Sequence, residues 1–298
     1  MAATWQGVFP AVTTQFREDQ SLDLDATARH HQALIDSGIA GLVVCGSLGE
    51  NQTMTHAEKL SVVETAVKVA AGRIPVLTGV AESSTRAAVD YVREAEKRGA
   101  AGLMIMPPMV YKADKAEAHE YFRTVGGAVS VPWMLYNNPV GYTVDITPEQ
   151  LVELSDVANL VAVKESSANT RRIIEIRQLL GDRLALFAGV DDLIMESSML
   201  GIDGWVAGSG IAFPAENQRL WDLLKAERYA EARQLYRWFQ PLMKLDTDLK
   251  FVQYIKLAVQ EAGLGKEWVR APRKVLSGAE RQRVMAIIRK GLDERPKL

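Results

Sequence analysis

The chain has 298 residues, of which 48% are hydrophobic and 24% are charged, which is the balance of an ordinary globular protein with its own core. Its formal net charge of −2 argues against nucleic acid or an anionic membrane surface as the main partner. Cys45 is the single cysteine, which excludes an intrachain disulfide and favours a reducing compartment.

Apolar runs with the character of buried strands recur along the chain as far as residue 210. They are GVFPAVTT (7–14), AGLVVCG (40–46), IPVLTGV (74–80), AGLMIM (101–106), VPWMLY (131–136), LVAVK (160–164), LALFAGV (184–190) and GWVAGSG (204–210). Polar segments with helical periodicity, such as DATARHHQALIDSG (25–38), lie between them. Eight strands that alternate with helices predict an α/β fold, the (β/α)8 or TIM barrel. A doubly wound sheet is the rival fold, but its GxGxxG fingerprint is absent after the first strand.

Several residues carry the signals of helix starts. Thr55 and Glu58 have the spacing of a capping box, and Thr147 followed by Pro148 predicts an N-cap and a first helical residue. The pair Asp191–Asp192 follows the seventh strand and is most simply interpreted as capping the next helix.

The alternation of strands and helices stops near residue 226. The segments 226–245, 248–264 and 277–292 have apolar residues at spacings of three and four, which predicts three helices packed on the barrel. Pro241 and the stretch APRK (271–274) are expected to break them. We therefore divide the chain into a catalytic barrel, residues 1–226, and a C-terminal helical region, residues 227–298.

The sequence carries no sign of a membrane segment or a secretory signal. The N-terminal stretch MAATWQGVFP lacks a basic region followed by an apolar one. No window approaches the ~18 consecutive apolar residues that a membrane-spanning helix needs. We expect a cytoplasmic protein.

In a (β/α)8 barrel the catalytic groups lie at the C-terminal ends of the strands and in the loops that follow. These positions hold GSLGEN (46–51), MPPMVY (106–111), YNNPVGY (136–142), Lys164, GVDD (189–192) and AGSG (207–210). Lys164 ends a strand that is apolar enough to be buried on both faces. Desolvation disfavours an ammonium there, so a neutral amine becomes available for Schiff-base chemistry with a carbonyl substrate. The alternative is a lysine that reaches water or pairs with a carboxylate.

Two other strand ends carry candidate functional groups. Gly46 and Gly49 allow a tight turn in which successive amides can bind an anion such as a carboxylate, and Ser47 adds a hydroxyl that can relay a proton. Tyr136 places a phenol near the mouth of the barrel. A plain strand-to-helix turn and a tyrosine of the core are the alternative interpretations.

A metal site is not expected. No histidine or further carboxylate shares the loop of Asp191–Asp192 at a ligand spacing. The four histidines all fall in helices of the outer ring, and we assign them no chemistry: His30, His31, His56 and His119. We expect neither a metal nor another cofactor.

A lysine, a tyrosine and a Gly-Ser-x-Gly turn on three different strand ends resemble the dihydrodipicolinate synthase and N-acetylneuraminate lyase family of Schiff-base barrels. The family's GTTGE or GSTGE loop is similar to Gly46–Glu50. Its YN-x-P motif is similar to Tyr136–Pro139, and its KE-S/A-S motif is similar to Lys164–Ser167. The order of these motifs and the helical tail also match, so the resemblance covers nearly the whole chain.

The resemblance implies roles for these residues. Lys164 would form an imine with the keto carbon of pyruvate or a related small 2-oxo acid, Tyr136 would shuttle protons, and Ser47 would replace the first loop threonine. The Ser47 and Leu48 amides would hold the substrate carboxylate. The implied substrate-binding residues are Gly46, Leu48, Asn137, Gly189 and Val206. The family also implies a homo-oligomer, a tetramer or a dimer.

Departures from the family pattern favour a particular reaction. Dihydrodipicolinate synthases hold the carboxylate of an aldehyde substrate with an arginine where this chain has Gly141, and they use a tyrosine near the position of Met109. Leu48 likewise replaces a loop hydroxyl. The sequence therefore predicts a more apolar pocket without the relay tyrosine of the strand-four loop. This favours an elimination, by a keto-deoxy sugar acid dehydratase or, as the favoured member, a 1-pyrroline-4-hydroxy-2-carboxylate deaminase.

Other functions stay open at this point. Within the family they are a dihydrodipicolinate synthase proper and a 2-oxo-4-hydroxy acid aldolase. A non-catalytic regulatory barrel is an alternative of another class, since fold does not fix function. A metal-dependent barrel lyase would need a cluster of Asp, Glu or His at the strand ends.

Overall fold

The structure is a computed structural model that describes residues 5–298. The first four residues of the stretch MAATWQGVFP, for which no secretory signal was predicted, lie outside the described residues. Eight short strands form its sheet: β1 (Gly7–Val8), β2 (Leu42–Val44), β3 (Val76–Val80), β4 (Gly102–Ile105), β5 (Trp133–Asn137), β6 (Leu160–Glu165), β7 (Ala185–Ala188) and β8 (Gly204–Trp205). Each strand falls inside a predicted apolar run or extends one residue beyond it, and every strand except β6 is shorter than its run.

The sheet closes on itself as a barrel. Neighbouring strands are parallel and follow the order β1-β8-β7-β6-β5-β4-β3-β2. A parallel bridge between Ala11 and Val43 joins the two ends of this order, and the Val12 amide donates to the Val43 carbonyl at 3.0 Å. The predicted (β/α)8 barrel is confirmed.

Helices follow the strands and surround the barrel. They are α1 (Leu24–Asp36), α2 (His56–Ala70), α3 (Thr85–Lys97), α4 (Lys115–Gly126), α5 (Pro139–Tyr142), α6 (Pro148–Leu154), α7 (Arg171–Leu180), α8 (Ile194–Met199), α9 (Pro214–Lys225), α10 (Tyr229–Met243), α11 (Phe251–Glu261) and α12 (Gly278–Asp293). Within residues 5–298, none of these helices combines the length and the hydrophobicity that crossing a bilayer requires.

The helix starts predicted at Thr55 and Thr147 are confirmed. The Glu58 amide donates to Thr55 Oγ1 at 3.3 Å, and the Thr55 amide donates to Glu58 Oε2 at 2.8 Å, which completes the capping box of α2. Thr147 caps α6 through the Gln150 amide, at 3.4 Å, with a proline in the first turn.

Alternation along the strands separates an inner from an outer layer of apolar side chains. On β5, Met134 and Tyr136 belong to the cluster that fills the barrel, whereas Trp133 and Leu135 belong to the larger cluster under the helices. Tyr136 pairs in register with Lys164 on β6, so both side chains lie on the inner face near the C-terminal ends of their strands.

The C-terminal region forms the three predicted helices, α10, α11 and α12, and shares its core with the barrel. Pro241 lies inside α10, and the helix continues to Met243, so the predicted break there is wrong. A proline so near the end of a helix removes one backbone hydrogen bond, and burial of Leu242 and Met243 keeps the last turn helical.

Candidate active site

Lys164 lies at the C-terminal end of β6, where its residue is 6% exposed. The strand before it is buried on both faces, because the interior of the barrel covers one face and the surrounding helices cover the other. The Lys164 Nζ atom lies over the ring of Tyr136, 4.1 Å from its centroid. Within residues 5–298 it forms no salt bridge, which disfavours the interpretation of Lys164 as a paired structural lysine.

Burial lowers the pKa of the Lys164 amine, because removal of water disfavours its charged form. The nearby charges of Asp246, Tyr142 and Asp191 act in the opposite direction, and the net shift of the pKa is downward. A larger fraction of this lysine is therefore a neutral amine at physiological pH than for a lysine in water.

Gly189, at the end of β7, makes room for the lysine. A Cβ atom at this position would lie 2.6 Å from Lys164 Cε and would also collide with Ser166 Oγ. Any side chain there would displace the amine. The glycine is therefore required by the path of the lysine side chain.

Four polar side chains gather beside the lysine. Asn138 Nδ2 donates to Tyr136 OH at 3.2 Å, and the rings of Tyr136 and Tyr142 meet edge to face with centroids 5.6 Å apart. Ser47 Oγ and Tyr142 OH share a hydrogen bond. Burial raises the pKa of both tyrosines, so both phenols carry their protons at neutral pH. The arrangement offers hydroxyls from two loops to one substrate.

The turn after β2 presents Ser47 and Leu48 at the edge of the site. The Glu50 amide donates to the Ser47 carbonyl at 3.0 Å, and the Asn51 amide donates to the Gly46 carbonyl at 3.2 Å. In the part of the chain that the structure describes, the Ser47 and Leu48 amides donate to no protein acceptor. These two donors are available to an anionic group.

A buried ion pair holds this turn in place. Lys256 on α11 donates to Glu50 Oε1 at 2.7 Å and to the Trp268 carbonyl at 2.6 Å, and both charged side chains are fully buried. The Arg270 amide donates to the other Glu50 oxygen at 3.1 Å. The C-terminal region thereby fixes the position of a loop of the barrel.

A cavity of about 420 Å³ opens at this end of the barrel. Of the residues predicted for the site, those that line it are Ser47, Leu48, Tyr136, Lys164, Gly189 and Val206. Gly46 lies within the turn and does not reach the cavity. Asn137 is also absent from the wall, because its amide binds Asp145, Glu165 and the Ile146 amide at 3.2, 3.1 and 2.9 Å. The expected contact of Asn137 with substrate does not fit this position, and the residue ties loops together instead.

Asp191 corrects the prediction of a helix cap. It lies in a single 3-10 turn before α8, and Leu193, not Asp191, occupies the N-cap position. Its carboxylate accepts hydrogen bonds from Trp205 Nε1 at 2.9 Å and from the Ser209 amide at 2.6 Å. The buried donors of β8 and of the loop after it bind the carboxylate, and the backbone amides at the start of α8 do not.

The polar residues of the cavity to which the sequence assigned no role include Tyr142, Asp246 and Arg273. Met109 and Tyr111 do not line the cavity, and Gly141 does. Tyr142 stood in the YNNPVGY loop that the sequence had marked, so its position was a usable signal, whereas Asp246 and Arg273 come from outside the strand ends.

Fold and site together define a class: a (β/α)8 barrel whose cavity at the C-terminal ends of the strands holds a buried lysine and a cluster of hydroxyl groups. The family model for the dihydrodipicolinate synthetase family matches residues 4–291. The chain belongs to this family, as the resemblance indicated, and it is a lyase of the Schiff-base type.

Relatives match over almost their whole length. A 4-hydroxy-tetrahydrodipicolinate synthase from Methanococcoides burtonii is 31% identical over 284 residues, which cover 95% of this chain and 96% of the relative. One from Aquifex aeolicus is 30% identical over 291 residues, or 96% and 97% of the two chains.

Solved structures agree in fold. The crystal structure of dihydrodipicolinate synthase from Aquifex aeolicus has a TM-score of 0.91 and 30% identity, covering 96% of this chain and 98% of the other. A prophage protein of the family from E. coli K12, solved in complex with pyruvate, has a TM-score of 0.89 and 25% identity, covering 97% and 99%.

Proposed function

We propose that the protein binds a small 2-oxo acid, or the cyclic imine of one, through an imine to Lys164 and then eliminates the hydroxyl group of C4. The favoured activity is that of a 1-pyrroline-4-hydroxy-2-carboxylate deaminase, followed by that of a keto-deoxy sugar acid dehydratase. The position of Lys164 carries the proposal: a buried amine without a salt bridge, over the ring of Tyr136 and on the wall of the cavity.

The chemistry follows from the groups around this amine. The Lys164 nitrogen adds to C2 of the substrate and expels water, or the ring nitrogen of a cyclic imine, to give an iminium ion. The iminium draws electrons from C3, so loss of a proton from C3 leaves an enamine. The nitrogen lone pair then re-forms the iminium at C2, the C2–C3 electrons move to form a C3–C4 double bond, and the C4–O bond breaks, with the oxygen leaving as water after it takes up a proton. With the pyrroline substrate, proton shifts from C5 to C3 and from the amino nitrogen to C4 turn C5 into an imine. Addition of water at C5 releases ammonia, and addition of water at C2 frees the lysine.

The remaining residues of the site have roles in this scheme. The free Ser47 and Leu48 amides suit the carboxylate on C1. Tyr136 lies against the lysine and suits the proton transfers at C2 and C3. Tyr142, hydrogen-bonded to Ser47, supplies from this same chain a phenol that the sequence had not placed in the site.

The absence of a cation at Gly141 favours elimination over condensation. By the family resemblance, dihydrodipicolinate synthases hold the carboxylate of the aldehyde substrate with an arginine at this position. Arg273 also lines the cavity, 3.7 Å from the carboxylate of Glu50, which Lys256 contacts at 2.7 Å. Among the described residues that line the cavity, Lys164 and Arg273 are the cations that a carboxylate-bearing aldehyde can meet.

A second candidate is supported by the names of the relatives. The relatives with about one-third sequence identity to this chain are 4-hydroxy-tetrahydrodipicolinate synthases. Condensation of pyruvate with an aldehyde is therefore the activity to test against elimination. Consumption of pyruvate only when a carboxylate-bearing aldehyde is present would favour this candidate.

The experiment is borohydride trapping with a panel of 2-oxo acids and 4-hydroxy-1-pyrroline-2-carboxylate, read as a mass increase on the peptide that contains Lys164. We expect labelling of the wild type and none of Lys164→Ala. We also expect 2-oxoglutarate semialdehyde and ammonia from the pyrroline compound. Absence of these products would reject the deaminase, and absence of any trapped adduct would favour a non-catalytic barrel.

We also propose a homo-oligomer, a tetramer or a dimer, as the family resemblance implies. Light scattering coupled to size-exclusion chromatography gives the mass of the protein in solution. A mass of 32.9 kDa, which is that of one chain, would reject the homo-oligomer.

A further inference from the structure

Asp246 brings a carboxyl group into the cavity from outside the barrel. It lies in the 3-10 turn Lys244–Thr247 that follows α10, and it lines the same cavity as Lys164. A Cβ atom at Gly208, in the loop after β8, would lie 2.7 Å from Asp246 Cγ. The glycine therefore allows the carboxyl to approach the barrel mouth, just as Gly189 makes room for the lysine.

The Asp246 carboxyl has no partner in residues 5–298: it accepts no hydrogen bond and forms no salt bridge. Its neighbour Asp191 is different, since Trp205, Gly208 and Ser209 all donate to it. A carboxyl that is shielded from water normally finds donors within the protein. A free one on the wall of a substrate cavity is therefore available to the substrate.

The groups that face Asp246 keep it protonated. Burial raises the pKa of its carboxyl well above the usual value, and repulsion from Asp191 and Asp192 adds to this, while Lys164 acts in the opposite direction. In its ionised form, Asp246 in turn raises the pKa of Lys164. Tyr136 also lies within its electrostatic influence. A carboxyl in this setting can donate a proton at neutral pH.

We propose that Asp246 is a catalytic residue that protonates the hydroxyl group leaving C4 of the substrate. The inference rests on the proposed function, because it concerns the elimination step. After a proton has left C3, the C3–C4 double bond forms, the C4–O bond breaks, and the oxygen takes the carboxyl proton and departs as water. The carboxylate that remains recovers a proton from solvent or from the tyrosines before the next turnover.

The site separates the two proton transfers in space. The hydroxyl group of Ser47 comes from the loop after β2, and those of Tyr136 and Tyr142 come from β5 and the helix that follows it. Asp246, in contrast, lies beside the loop after β8. The two sets can therefore act on different carbons of one substrate held by Lys164. Elimination needs this arrangement, since the proton removed and the proton donated belong to different atoms.

The test compares two leaving groups in the variant Asp246→Asn, which keeps the size of the side chain but cannot donate an acid proton. The probes are 4-hydroxy-1-pyrroline-2-carboxylate and 4-fluoro-1-pyrroline-2-carboxylate. We expect kcat for the hydroxyl compound to fall by about 10²–10⁴-fold, the usual contribution of a general acid. Fluoride leaves without a proton, so kcat for the fluoro compound should stay within a few-fold of the wild type.

Two further measurements exclude a purely structural effect. Borohydride trapping with pyruvate should persist in Asp246→Asn with the pH dependence of the wild type, because the protonated carboxyl and the amide that replaces it are both neutral beside Lys164. Asp182→Asn, at a side chain fully exposed to solvent, is the matched control and should leave both probes unchanged.

The outcomes separate the two proposals. Equal loss of activity on the hydroxyl and fluoro compounds, or full activity of Asp246→Asn on the hydroxyl compound, overturns the role of Asp246 alone. A wild type that is trapped by pyruvate but eliminates neither group overturns the proposed elimination, and the acid then has no leaving group to serve. Absence of trapping in the wild type overturns the role of Lys164.

Discussion

Ser47 and Tyr142 share a hydrogen bond that joins the loop after β2 to the loop after β5 within one chain. Tyr142 ends the short helix α5, whose N-cap Asn138 accepts the Gly141 amide at 2.9 Å and donates to Tyr136 OH. One helical turn thereby sets both phenols beside the lysine.

We predict that Tyr142→Phe lowers kcat for elimination by about 10²-fold or more, because the variant removes a proton relay but keeps the ring contact with Tyr136. Imine trapping by borohydride should change little. Tyr111→Phe removes the hydroxyl of a tyrosine that is 58% exposed, and it should have no effect. Equal activity of both variants would show that the Ser47–Tyr142 hydrogen bond has no part in proton transfer.

A second prediction concerns the space beside Lys164. Gly189→Ala should abolish trapping with pyruvate, since the added Cβ occupies the path of the lysine side chain. Circular dichroism and the thermal midpoint report whether the barrel stays folded. Trapping at the wild-type rate in a folded variant would mean that the lysine reaches substrate by another route.

The positions of Lys164 and Tyr136 were predictable from the sequence, because a parallel barrel places the ends of all its strands at one edge. The register of β5 and β6 then brings the two residues together without further information. The helix starts at Thr55 and Thr147 were also predictable, because each depends only on residues within one helical turn.

Contacts between distant segments were not predictable in this way. Asp191 has the local pattern of a cap, but donors of the next strand bind it. Asp246 follows a helix of the C-terminal region, and only the packing of that region on the barrel carries it into the cavity. Periodicity describes faces of helices and strands, and it gives no distance between loops that lie far apart in sequence.

A third prediction tests the anchor of the substrate turn. Lys256→Met should lower the free energy of unfolding by about 3–5 kcal/mol, because it leaves the buried Glu50 carboxylate without its nearest and fully buried cation. Lys250→Met breaks a salt bridge to Glu280 whose side chains are 50% and 32% exposed, and it should cost about 0–1 kcal/mol. Urea unfolding measures both variants, and equal effects would contradict a structural role for the buried pair.

The last prediction follows from two adjacent histidines on α1. His30 and His31 are fully buried, and burial lowers the pKa of His30 to about 4 and that of His31 to about 3. Both rings are neutral in the fold, whereas an unfolded chain protonates them near pH 6.5. Their stabilising contribution is therefore complete above that pH and is lost as the pH falls toward 4, by about 1.4 kcal/mol per pH unit for each histidine.

His31→Leu isolates this effect, since both ring nitrogens of His31 lack a hydrogen-bond partner within residues 5–298, whereas His30 Nε2 lies 3.0 Å from the Ile211 carbonyl. The variant should unfold at higher urea than the wild type at pH 7.5, because an apolar side chain replaces a buried polar one without partners. The difference in stability should widen at pH 5.5. There the unfolded wild type gains a proton on His31 that the folded wild type does not bind, and the variant has no such proton to gain. A constant difference between the two pH values would show that His31 is neutral in the unfolded chain as well, or charged in both states.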